Sequence, residues 1–212
     1  VDNAAARLAA ALQPGERVLV QGAPGPGFAA TLFAAARAHV ILVPLDARMT
    51  PDTVERIADL TRPSAILLGT GATLEPVTIP SLAHLPVMDL DDIVDPPGPD
   101  AVAALAARTT AAPDEPVEIL CTSGSTGNPK GVTITQSMLL ASTERCLATI
   151  PAGANRFVSI LPLSHIMEQV AGVVYAAAAG AETEYITTLR PDVISAAIKG
   201  HRATALVVVP QV

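Results

Sequence analysis

The stretch Ile119-Leu-Cys-Thr-Ser-Gly-Ser-Thr-Gly-Asn-Pro-Lys-Gly-Val132 decides how this chain is read. A short apolar run, Val117 to Cys121, breaks into hydroxyl and glycine residues, and a β-branched run, Val132 to Ile134, follows at once. The pattern predicts a strand, a tight loop and a second strand. Gly124, Gly127 and Gly131 can take backbone angles closed to other residues, so main-chain N–H groups can turn towards one point and bind an anion. Thr122, Ser123, Ser125 and Thr126 add hydroxyl donors, Pro129 fixes one dihedral, and Lys130 supplies a compact positive charge. The local chemistry is that of a polyphosphate cradle.

The P-loop of kinases and GTPases needs Gly, four residues, then Gly-Lys-Ser/Thr opening a helix. Here Pro129 stands where the second glycine is required, Gly131 follows Lys130, and the chain continues into a strand. A Walker-type site is therefore disfavoured, and so is a bare Gly/Ser linker, which would not carry Pro-Lys-Gly between two strands. Thr122 to Gly131, TSGSTGNPKG, instead resembles the signature loop of the adenylate-forming superfamily, which includes acyl-CoA synthetases, luciferases and peptide-synthetase adenylation domains. The resemblance implies that Thr122, Ser123, Gly124, Ser125, Thr126, Gly127 and Lys130 bind ATP and that Thr122 contributes an oxygen to Mg²⁺.

Around the loop, the chain reads as alternating strand and helix. Arg17 to Gln21, Val40 to Val43 and Ser64 to Leu68 are strand-like, with an alanine-rich helix near 28–38 and a second one capped by Thr50 and opened by Pro51. Alternation predicts an α/β fold, with mostly parallel sheets and helices on both faces. The expected division is a first α/β subdomain over 1–115 and a second, carrying the phosphate loop, over 116–212. Asp95 to Asp100 and Ala112 to Pro116 read as linkers at that seam.

GAPGPG, from Gly22 to Gly27, misses the G-x-G-x-x-G spacing of a dinucleotide fingerprint and reads as a tight strand-to-helix connection. Val43-Pro-Leu-Asp46 also looks like the opening unit of acyl-CoA synthetases, although His39 stands where that family usually has glycine. The acidic cluster Asp89, Asp91, Asp92 and Asp95 reads as a solvated face.

Farther along, Phe157 to Leu161 is strand-like, Ser164 is placed to cap a helix from Ile166 to Ala179, and His165 falls at a strand's carboxyl end, where open α/β sheets bind ligands. LPLSHIMEQ, Leu161 to Gln169, resembles the segment that lines the acyl pocket of long-chain acyl-CoA synthetases. By that resemblance His165 lies beside the substrate carboxylate, and Glu168 is structural. Aligned on Glu168, Leu163 occupies the position where peptide-synthetase domains hold an Asp, which disfavours an amino-acid substrate. Gln136 departs from the histidine that many acyl-CoA synthetases carry there.

Composition narrows the classes. Half of the 212 residues are apolar, enough for a substantial core, and the run Val170 to Ala181 is too short to span a bilayer. A net charge of −7 without basic clusters argues against nucleic acid as a partner. Cys121 and Cys146 lack metal or disulfide spacing. The N-terminus has no secretory pattern, so a cytoplasmic location is expected, with peripheral membrane contact left open.

The resemblance implies a ligase that joins a small carboxylic acid, of fatty acyl type, to AMP at the expense of ATP and then passes it to CoA. The adenine-binding segment, the carboxylate completing the Mg²⁺ site and the lysine-bearing lid of that family would all lie downstream, so the chain is expected to be the N-terminal part of a longer enzyme and inactive alone. The alternative is a non-catalytic nucleotide-binding or subunit-interaction module that keeps the loop.

Overall fold

The computed structural model describes residues 1–109, 112–123, 128–150, 153 and 155–208. They form two compact units, Val1–Gln136 and Ser137–Val212. The elements are α1 (Asp2–Ala11), β1 (Arg17–Gln21), α2 (Pro26–Ala38), β2 (Ile41–Pro44), α3 (Pro51–Thr61), β3 (Ala65–Leu68), β4 (Val87–Asp89), α4 (Pro99–Ala106), β5 (Pro116–Ser123), β6 (Pro129–Thr135), α5 (Gln136–Thr149), β7 (Arg156–Ser159), α6 (Ile166–Glu168), a π-helical segment Gln169–Val174, α7 (Tyr175–Ala178), β8 (Glu182–Tyr185), α8 (Pro191–Gly200) and β9 (Ala205–Leu206).

The first unit is built on a sheet of order β4-β3-β1-β2-β5-β6. Its strands run parallel until β6, which returns antiparallel to β5. Leu19, Val43 and Ile66 point to one face and bury against Val54, Ile57 and Ala58 of α3. Because side chains alternate along a strand, Val18, Val20, Leu42 and Leu67 face the other way, and they are buried too. There α1 packs on both α2 and α4, with α2 touching β2 and β5.

Thr50 caps α3 by accepting the Thr53 N–H. At the far end of α3, Arg17 donates to the carbonyls of Thr61 and Arg62, satisfying groups the helix leaves unpaired. A Cβ on Gly22 would stand 2.8 Å from Leu90 Cδ2, and one on Gly27 would stand 2.5 Å from the Leu90 carbonyl oxygen. These glycines make room for the chain after β4, which accounts for GAPGPG as a packing element.

The division does not fall at 115/116. β5 pairs with β2 and β6 with β5, so the whole hairpin belongs to the first sheet and the boundary lies after Gln136. Neither α1 nor α4 is marked by a clear periodic pattern. The N-terminal residues form α1, and part of the expected linker forms α4, whose Arg108 just beyond the helix donates to carbonyls of Ala9 and Leu12.

His39 also finds a role. It ends α2 in the left-handed conformation, φ 56°, and its Nδ1 and Nε2 meet Glu115 Oε2 and the Thr109 carbonyl oxygen, each at 2.8 Å. The ring thereby ties the chain leading into β5 to the end of α2, a bond that glycine could not make.

The second unit holds a parallel sheet, β8-β7-β9. Val158, Ile160 and Leu161 pack with Ala197 of α8, and Phe157 meets Tyr175 edge to face at 5.6 Å. The short strand β9 pairs with β7 on the side opposite β8.

Candidate functional site

The β5–β6 hairpin sets the geometry of the signature loop. Its register places Cys121 opposite Gly131, Thr122 opposite Lys130 and Ser123 opposite Pro129. Directly opposed residues project to the same face of a sheet, so the Thr122 hydroxyl and the Lys130 ammonium flank the mouth of the loop together. Thr122, Asn128 and Lys130 are exposed. Gly124, Ser125, Thr126 and Gly127 lie outside the described residues.

Gly131 has a steric reason. A Cβ there would stand 2.9 Å from Ile119 Cγ2 and 3.6 Å from Leu60 Cδ2 of α3, so the residue following Lys130 must be small for β6 to lie against α3. Beside it, burial pushes the Cys121 thiol up to about 11, which keeps it protonated and chemically quiet at neutral pH.

His165 belongs to the second unit. It follows β7 by the turn Ile160 to Ser164, is exposed, and is itself the cap residue of α6, with extended backbone. The cap was expected at Ser164. The cap is instead His165: the Ser164 Oγ is buried without a hydrogen-bond partner, and the His165 carbonyl accepts from the N–H groups of Glu168 and Gln169 at 3.1 and 3.2 Å. The turn is held from inside by Gln169, whose Nε2 donates to the Leu163 carbonyl at 2.7 Å.

The single helix expected from Ile166 to Ala179 is instead broken by the π segment. A wider turn of this kind puts one extra residue into the ring closed by each hydrogen bond, and it begins immediately after Glu168. Glu168 is wholly buried, and burial pushes its carboxyl up to about 7, with the Ser159 hydroxyl opposing part of the rise. The sequence offered one signal for this arrangement: a glycine, Gly172, four residues after an acid inside an apolar helical run.

Among the described residues, no three His, Cys, Asp or Glu side chains come together as a metal site. No helix there is long and apolar enough to cross a membrane.

A family model described as "AMP-binding enzyme" matches residues 1–212. A feruloyl-CoA synthase from an Amycolatopsis species is 32% identical over 159 residues, covering 68% of this chain and 30% of that protein. A fatty acid–[acyl-carrier-protein] ligase from Mycobacterium marinum is 31% identical over 132 residues, covering 60% of this chain and 25% of that protein. The chain thus spans well under half the length of these curated relatives. Among solved structures, O-succinylbenzoate coenzyme A synthetase from Bacillus subtilis in complex with AMP superposes with a TM-score of 0.80 at 16% identity, over 99% of this chain and 53% of that one. The inhibitor-bound N-terminal domain of FACL13 from Mycobacterium tuberculosis gives 0.75 at 19%, over 99% and 55%. At such identities the structures speak for the fold.

Proposed function

Because the chain belongs to the AMP-binding enzyme family, we propose that it is the N-terminal part of a ligase that activates a carboxylic acid with ATP, its β5–β6 hairpin gripping the triphosphate. The observation that carries this reading is the pairing of Thr122 with Lys130 at the exposed mouth of a glycine- and hydroxyl-rich loop.

A carboxylate is a poor electrophile. Its oxygen attacks the α-phosphorus of ATP, pyrophosphate leaves with the electron pair of the broken P–O bond, and the acyl-adenylate is then open to a thiol such as CoA, which displaces AMP. Leaving-group charge builds on the β- and γ-phosphates, and the Lys130 ammonium neutralises part of it. Thr122 offers a hard hydroxyl oxygen of the kind Mg²⁺ takes alongside phosphate oxygens and water. His165 stands on the substrate side, next to the carboxylate being activated.

The acid is of apolar, fatty acyl type. Leu163, at the position where an amino group would need a carboxylate, is 1% exposed and apolar, which supports an uncharged acyl chain. A cytoplasmic location fits the supply of ATP and CoA. Acid-dependent pyrophosphate release by the complete protein, screened over acids of graded chain length, one aromatic acid and the common amino acids, tests the reading. Release that rises with chain length is the expected result; release with amino acids alone contradicts the substrate class.

A further inference from the structure

The buried acid behind His165 has no conventional partner. Neither Glu168 oxygen has a partner at full hydrogen-bond geometry, and the Ser159 Oγ on β7, the polar group set nearest to it, opposes only part of the rise that burial causes. Glu168 Oε1 occupies the space that a Cβ on Gly172 would take, and its Cδ lies 3.0 Å from that position. A carboxyl at the surface would swing aside from such a methyl. This one is enclosed, with Ser159 of β7 and Tyr185 of β8 set against it, and the Tyr185 phenol is pushed up to about 12, first by its own burial and then by charge on Glu168. Glu184, next along β8, is directed instead towards His201 at 3.7 Å.

The notch is built into the π segment. The Gly172 carbonyl accepts from the Thr183 hydroxyl of β8 at 3.3 Å, which fixes the notch to the sheet. At the other end, the Glu168 N–H holds the His165 carbonyl. The residue whose side chain fills the notch is thus the one whose backbone closes the turn at His165.

We propose that Glu168 is a positioning residue: seated as a neutral acid in the notch left by Gly172, it fixes the turn that presents His165 to the acyl substrate, and loss of its proton releases that turn. The link to substrate rests on the reading of function given above; the seating of the acid does not.

A double-mutant cycle in the complete protein tests the pair. Gly172→Ala is expected to lower kcat/KM for the acid by about tenfold when Glu168 is present and by no more than about threefold in a Glu168→Ala background, since the methyl then has space. Equal losses in both backgrounds overturn the proposal. The pH profile of kcat/KM is expected to fall with an inflection near 7 that is lost in Glu168→Gln; a retained inflection overturns it. Difference infrared spectroscopy of wild type against Glu168→Gln reads the seating without turnover. A protonated-carboxyl stretch that vanishes at alkaline pH is expected, and its absence overturns the proposal whatever the activity. If that band is present but no acid is turned over, the seated acid stands and the reading of function fails.

Discussion

Gly131 in β6 and Gly172 in the π segment meet the same steric demand beside different neighbours. At Gly131 the intruding group is the Ile119 methyl, and at Gly172 it is the Glu168 carboxyl. The first contact buries hydrocarbon and has no proton to lose. The second buries an acid, so its cost depends on pH. Small residues in the two units therefore protect different things: the lie of a hairpin in one, a protonation state in the other.

The largest effect expected from this contrast is in stability against pH. The Glu168 carboxyl is held near 7 in the fold against an ordinary 4.5, so between those values the native state binds more protons than the unfolded state. Stability must then fall as pH rises through that window, by about 3 kcal/mol in total from this group. Urea unfolding at pH 5 and pH 7.5 should show the decline in wild type and a reduced one in Glu168→Gln. An equal decline in both proteins would remove the contrast.

Next in size is Gly131→Ala, expected to cost about 1–3 kcal/mol by overpacking, with the same value at both pH values. A pH-dependent loss there would mean that the apolar contact is not what the glycine protects.

His39 sharpens the comparison from the opposite side, as a residue with a side chain in a conformation glycine favours. His39→Gly relieves about 1 kcal/mol of left-handed strain and loses a charge-assisted bond worth about 1.5–3 kcal/mol. Because Glu115 is 40% exposed, that bond is discounted for screening, and the net expectation is a loss of about 1 kcal/mol in thermal unfolding. A stabilised variant would show that the backbone strain outweighs the tie.

These cases explain how much the sequence could reveal. The parallel α/β layout followed from short β-branched runs punctuated by proline and glycine, and the hairpin from the break between Cys121 and Val132; both are local signals. The helices α1 and α4 were overlooked because their alanine-rich or proline-flanked composition carries little periodic contrast, and their stability comes from packing on each other. The unit boundary was placed too early because proline-rich spacing marks a linker but cannot show that β5 pairs back to β2. Thr122 and Lys130 are legible from the motif as candidate site residues. Their opposition across the hairpin is not, since register depends on the length of the intervening loop. Glu168 reads as structural from the sequence because its burial depends on how β7 and β8 pack against its helix, which the order of residues does not show.

The central claim is that Lys130, opposite Thr122, holds the phosphates of ATP. It is tested most directly by acid-dependent pyrophosphate release from the complete protein and its Lys130→Ala variant. A lost charge-assisted contact of about 1.5–3 kcal/mol should lower kcat/KM for ATP by roughly 10- to 150-fold while the variant unfolds at the same temperature as wild type. Unchanged kinetics for ATP in the variant would contradict the account.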